Sequence, residues 1–199
     1  MTESDWNRST DSQAMLSFLQ ERGASERKQR LFAVACSRRA WPLIDDLGRA
    51  AVEVAERFAD GRADAEQLRA ARLACKGSGG QSSWYAALTD PAIAARNAAL
   101  SAMEGATSHE SERHVQADLL RDIFRNPFHE VTFDESWGTS DVVSMARSMY
   151  EVREFVAMPR MAYALQDAGC EDEGVLDHCR GTGPHVRGCF VVDLVLGKM

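Results

Sequence analysis

The sequence predicts an all-α protein: a single-domain helical bundle of roughly eight helices, ending in a compact C-terminal module. Three observations carry this. Apolar residues recur three and four positions apart, as on one buried helical stripe, and not in alternation. Capping and breaking residues stand at the ends of those stripes. No succession of strand and helix patterns occurs that would build a parallel sheet.

The elements follow in order. Asp11 or Ser12 caps a short helix whose apolar side is Met15, Phe18 and Leu19, with Trp6 folding back onto it and Gly23 ending it. Ser25 caps a second helix, with Leu31, Val34 and Ala35 turned inward and Pro42 closing it. A third has Leu47, Ala50, Ala51, Val54, Ala55 and Phe58 in phase and stops at Asp60-Gly61. A fourth, 64–76, has a thin stripe of Leu68, Ala71 and Cys75. Residues 77–83, GSGGQSS, read as a linker; a phosphate loop would need GK[ST] entering a helix. Pro91 at a first helical position opens an Ala-rich helix to about Glu104. The next, 110–124, carries Val115, Leu119, Leu120 and Ile123. Residues 126–137 form an ordered loop, because Phe128, Phe133 and Trp137 are too many aromatics to leave in water. Thr139 to Asp141 cap a helix with Val142, Met145, Ala146, Met149, Tyr150 and Val156 in phase. Pro159 opens another, ending at Gly169, and 171–180 is a short helix with Val175, Leu176 and Cys179. The last element, 185–196, is apolar nearly all round and reads as a buried helix, with Val191, Val192 and Val195 keeping a strand open.

Three blocks result: an N-terminal helical block at 1–76, an Ala-rich middle at 77–118 acting as spacer or outer hairpin, and a C-terminal helical module at 119–199. The chain of 199 residues is long enough to bury a core without staples. Its net charge of -7 argues against a general nucleic-acid partner or docking on anionic lipid, both of which need a positive field. The opening MTESDWNRSTDSQ has no basic or apolar signal region, and no apolar run reaches bilayer length, so the expected location is the cytoplasm. There the five cysteines are reduced thiols or metal ligands and not a disulfide framework.

The tail, 164–198, gathers three of those cysteines and two of the five histidines. Cys170, Cys179, His185 and Cys189 make a candidate zinc set, since thiolate and imidazole are what zinc takes in closed tetrahedral sites. On a helix, His185 and Cys189 would share one face, and His178 is the alternative to its neighbour Cys179. The competing reading is packing: small core thiols, with His178 and His185 bonded to backbone or to Asp177 and Asp193. A thiol nucleophile, Cys189 with His185 or Cys179 with Arg180, is a third. His109-Glu110 with His114 fails as a metalloprotease helix, because its histidines are five apart instead of four. Arg27, Lys28, Arg30, Arg38 and Arg39, with Trp41 beside them, form a candidate patch for an acidic protein partner; the plainer reading is a solvated helix face.

The blocks LLRDIFRNPFHEVTFDESW, VVSMARSMYEVREFVAMPRMAYALQDAGC and LDHCRGTGPHVRGCFVVDLVLGK resemble a bacterial protein family abundant in planctomycete-type genomes. The opening, with RLFAVACSRRAW and AVEVAERFADG, looks like that family's N-terminal block. The resemblance implies no reaction, cofactor or catalytic residue. Where the family often has a CACCRR-like run, this chain has Ala35-Cys36-Ser37-Arg38-Arg39, which weakens an N-terminal cysteine metal site. The expected function is therefore a non-catalytic interaction or adaptor module with a protein partner and no cofactor; the alternative is a thiol- or zinc-dependent hydrolase using the tail.

Overall fold

The computed structural model describes residues 1–77 and 80–198. It is all-helical, with no strand among the described residues. Among the described residues there are twelve α-helices, against the bundle of roughly eight expected and the ten helical segments read along the chain: α1 (Glu3–Arg8), α2 (Ser12–Glu21), α3 (Glu26–Arg39), α4 (Asp46–Ala59), α5 (Ala65–Ala74), α6 (Gln81–Ala86), α7 (Pro91–Glu104), α8 (His109–Phe124), α9 (Ser140–Val152), α10 (Met158–Asp167), α11 (Glu173–Arg180) and α12 (Phe190–Leu196). The two not read as helices, α1 and α6, are six residues each, too short for their own apolar period to stand out. No helix among the described residues is long and apolar enough to cross a membrane.

Side-chain caps start several of the helices. Asp11, Asp64, Asp90, Thr139 and Asp172 each accept a first-turn backbone N–H at the N-cap. Ser25 stands at the N-cap of α3 without a side-chain bond.

The chain divides into two compact units, Met1–Leu120 and Arg121–Met199. In the first, the Ala-rich middle is not a spacer. Helix α7 buries Ala94, Ala95, Ala98, Ala99 and Ala102, and lies against α3 and α6. Small side chains let backbones approach closely. The linker reading also fails over Gln81 to Ser83, which begin α6 with Ser82 and Ser83 buried; Ser78 and Gly79 lie outside the described residues. The stripe of α4 is rotated from expectation. Its buried residues are Gly48, Ala51, Val52, Ala55 and Glu56, while Leu47 is 53% exposed. The cause is close contact: a Cβ on Gly48 would stand 2.5 Å from Ile44 and 2.7 Å from the Ser83 hydroxyl, so the small face must turn inward.

The second unit is built on Val142, Ala146, Met149 and Tyr150 of α9, Met161, Ala162 and Leu165 of α10, Val175 and Leu176 of α11, and Phe190, Val191, Val192 and Val195 of α12. The 126–137 loop tucks Phe133 and Trp137 against this core, their rings edge to face at 5.7 Å. Val156 leaves the expected stripe: α9 ends at Val152, Arg153 turns left-handed, and Val156 is 88% exposed.

Arg30 is the polar anchor of the first unit. It is buried, lies over the Phe58 ring, and donates to the carbonyls of Ala86, Leu88 and Thr89 at 2.6 to 2.9 Å. Arg30→Ala strands three acceptors and is expected to cost about 3 kcal/mol in urea unfolding. Arg30→Lys should recover only part of it, since an ammonium lacks the planar fork; an Arg30→Ala protein as stable as the parent would contradict this role.

Candidate metal centre

Four donor groups of the second unit converge: Asp122, His178, His185 and Cys189, with one ligand atom of each lying within 4.8 Å of all the others. Asp122 comes from the last turn of α8, and His178 from the last turn of α11. His185 and Cys189 lie in the irregular segment between α11 and α12, with Cys189 the residue before α12 begins. The convergence therefore does not come from helical spacing of His185 and Cys189, as the sequence suggested. It comes from the fold of 181–189 back over α8 and α11. Gly188, at φ 100°, makes the turn there. Arg187 fixes the same segment from the other side. Its guanidinium is buried over the Tyr150 ring and donates to the Tyr150 carbonyl at 2.8 Å, at the C-terminal end of α9.

The geometry has one distinguishing property. His178 Nε2 stands 3.0 Å from Asp122 Oδ1 and 3.3 Å from Cys189 Sγ. His185 Nδ1 stands 2.9 Å from the same Oδ1 and 4.0 Å from the same Sγ. Each ring thus presents a single nitrogen to both a carboxylate and a thiol. One N–H serves one acceptor well, so protein hydrogen bonds alone do not saturate this arrangement. Four donors facing a shared centre do suit a tetrahedral ion, for which ligand distances of 2.0 to 2.3 Å imply edges of about 3.3 to 3.7 Å. The observed separations bracket that range.

The electrostatics agree with a charged centre. Burial pushes the Asp122 carboxyl up, but the hydrogen bonds from His178 and His185 and their charge outweigh it and hold the group below its usual value. Its second oxygen, Oδ2, accepts the Val186 backbone N–H at 3.0 Å, which fixes the carboxylate plane. Burial, followed by the Asp122 charge, drives the Cys189 thiol well above the ordinary thiol range, against a smaller pull from the Val192 and Val191 amides. Without a cation that sulfur stays protonated; a bound ion would hold it as thiolate.

The same geometry disfavours a thiol nucleophile. A Cys–His–Asp relay needs the cysteine on one ring nitrogen and the carboxylate on the other. Here both face the same nitrogen, and the outer nitrogen of His185, Nε2, is buried without a hydrogen-bond partner. Nor is any cysteine activated: burial raises Cys36, Cys75, Cys170 and Cys179 as it raises Cys189.

Of the sequence-derived zinc set, His185 and Cys189 are brought together and Cys170 and Cys179 are not among the converging groups. The last two are buried thiols of the apolar core, as the packing reading had it for them. The adjacent pair His178-Cys179 splits, with the imidazole facing the centre and the thiol facing the core. Asp122 was missed, and Asp177 and Asp193 were named in its place. Its signal was faint: a carboxylate one turn after Leu119 and beside Ile123, on the buried side of α8. The His109 and His114 pair is exposed, and His114 Nδ1 is bonded to the Glu110 carbonyl at 2.8 Å.

The cationic patch is largely engaged within its own unit. Arg27 pairs with Asp60 at 3.2 Å, Arg38 with Glu56 at 3.2 Å and Arg39 with Glu112 at 2.7 Å. Arg30 is buried and Lys28 is half-buried. Trp41 has the guanidinium groups of Arg38 and Arg49 on its ring, at 4.9 and 5.5 Å. Spacing along the chain had shown the positive charges, but not the acids on α4 and α8 that meet them.

No protein-family model matches the chain, and no curated protein or solved structure does so either.

The burial of the thiols has a direct readout. Burial pushes the Cys179 thiol up to about 12, so at pH 9, where an ordinary thiol is largely ionised, Cys179 stays protonated. A disulfide reagent at pH 9 is expected to leave Cys179 unmodified in the folded chain and to label it in guanidinium. Rapid labelling of Cys179 in the folded protein would contradict its placement.

Proposed function

We propose that the protein is a non-catalytic helical module whose C-terminal unit is closed by a zinc-class divalent ion on Asp122, His178, His185 and Cys189. The observation that carries this reading is the double use of each imidazole nitrogen, facing both Asp122 Oδ1 and Cys189 Sγ. A donor set of two imidazoles, one thiolate and one carboxylate suits Zn(II) better than the hard cations magnesium and calcium, which take oxygen.

Several features favour a structural over a catalytic ion. Four protein donors fill a tetrahedral shell, whereas a catalytic zinc keeps a position for water. Asp122 is held by Val186 through its second oxygen and so is poorly placed to swing away. The hydrolase alternative would need one of the four to leave. A module without chemistry of its own serves by binding, and an interaction or adaptor role with a protein partner is the function we assign. The blocks that resemble the planctomycete-type bacterial family contain all four donors, so on this proposal the text that carries the likeness is the metal site.

Protein purified without chelator is expected to carry one zinc per chain by elemental analysis. Co(II) put in its place should give the visible bands of a tetrahedral site with a thiolate ligand. Asp122→Asn, His178→Ala and Cys189→Ala should each weaken binding beyond the roughly hundredfold typical of outer-shell changes. Cys170→Ala and Cys179→Ala should leave stoichiometry at one. A chain that retains no zinc, cobalt or iron, or one that loses its metal with Cys170 or Cys179, would refute the assignment.

A further inference from the structure

The segment that supplies two of the four donors also leads into the last helix. Between α11 and α12 the chain runs through Gly181, Gly183 and Gly188 with no regular structure. Specific polar attachments hold it. His185 and the Val186 amide bond to Asp122, and Arg187 bonds to the Tyr150 carbonyl. Helix α12 begins one residue after Cys189 and has only seven residues. A helix of two turns is not stable by itself and owes its form to what holds it. Helix α12 is held by its apolar packing, chiefly on α9, by the anchored segment before it and by Lys198 after it, whose ammonium lies over the Tyr150 ring at 4.7 Å.

We propose that occupancy of the metal site controls the docking of α12: with the ion bound, 185–189 is fixed and α12 sits on α9; without it, the segment loosens and α12 leaves its seat while α9, α10 and α11 hold. This rests on the metal reading above and adds to it a consequence for the surface of the unit. The argument is one of chain connectivity. The ion would join His185 and Cys189 to Asp122 and His178, which belong to the regular helices α8 and α11. It is therefore the link between a glycine-rich strap and rigid elements. Removing it leaves each ring nitrogen shared between a carboxylate and a thiol. The strap keeps Arg187 and the Val186 contact, attachments that glycines at 181, 183 and 188 do little to support by backbone stiffness.

Undocking has a defined effect. Phe190, Val191, Val192 and Val195 leave the core, and the part of the apolar core that α12 shares with α9 becomes accessible. The apolar groove so formed is present only in the metal-free chain. Metal supply would then decide whether that face is shown. In the terms of a two-state element, the ion biases the equilibrium because it binds one state and not the other.

Hydrogen exchange on the full chain tests this, with the metal content of each sample measured in parallel. The zinc-loaded protein should protect the amides of Val186 and of α12, and chelation should speed their exchange by about tenfold or more while those of α10 keep their protection. Restoring zinc should restore the protection, and Asp122→Asn should show the chelated pattern with or without zinc. If zinc binds one to one but α12 exchanges at the same rate in both forms, the coupling is absent and the metal reading stands. If chelation strips protection from α9, α10 and α11 as well, the ion staples the whole unit and the switch is refuted. If no metal is retained at all, both readings fall, and the metal content shows it before exchange is measured.

Discussion

Asp122 is a carboxylate at 1% exposure, and the second unit is arranged around the cost of putting it there. An isolated buried charge would be neutralised or expelled. This one receives His178 Nε2 and His185 Nδ1 on one oxygen and the Val186 amide on the other. Those three contacts tie together the end of α8, the end of α11 and the strap before α12. The α11 element contributes Val175, Leu176 and Cys179 to the apolar core, and the strap leads into α12, which contributes Phe190, Val191, Val192 and Val195. The thiol of Cys189 completes the ring of donors. A cation at their centre would turn an underused set of hydrogen bonds into four coordinate bonds. Structural zinc supplies on the order of 10 kcal/mol to small domains, comparable to the whole stability of a typical fold.

The first unit solves a similar problem without a metal. Arg30, Glu56 and Glu112 are buried, and each is met by groups of the same unit: three carbonyls for Arg30, Arg38 for Glu56, Arg39 and Gln116 for Glu112. Buried charge meets its opposite there one to one, each carboxylate facing a guanidinium and Arg30 facing carbonyls. In the second unit two imidazoles and a thiol surround one carboxylate oxygen. That convergence on a single oxygen separates the metal reading from mere core packing.

Helical class and most helix starts were legible in the sequence, because caps and Pro91 act locally: Asp11 and Thr139 cap where a cap was read, and the helices that Asp64 and Asp90 cap begin where they were expected. Packing faces were less so. Leu47 looked inward by period, yet Gly48 had to face Ile44 and Ser83, and only the contact decides between them. The middle of the chain looked like a spacer because alanine is weakly hydrophobic; buried against α3 it is the means of close approach. For the site, cysteine and histidine density pointed to the stretch that supplies three of the four converging groups, His185 and Cys189 among them. Cys170 and Cys179 were taken for ligands because side-chain direction is invisible along the chain. Asp122, more than fifty residues upstream of His178, could be joined to the others only by the fold.

X-ray absorption at the zinc edge on the full-length, zinc-loaded chain tests the central claim most directly, because it counts donors by element. The account predicts one sulfur at about 2.3 Å and three nitrogen or oxygen donors at about 2.0 to 2.1 Å, with the imidazole scattering of two histidines. A shell with two or more sulfurs would mean that Cys170 or Cys179 is a ligand, and a shell without sulfur would place the ion elsewhere; either would contradict it.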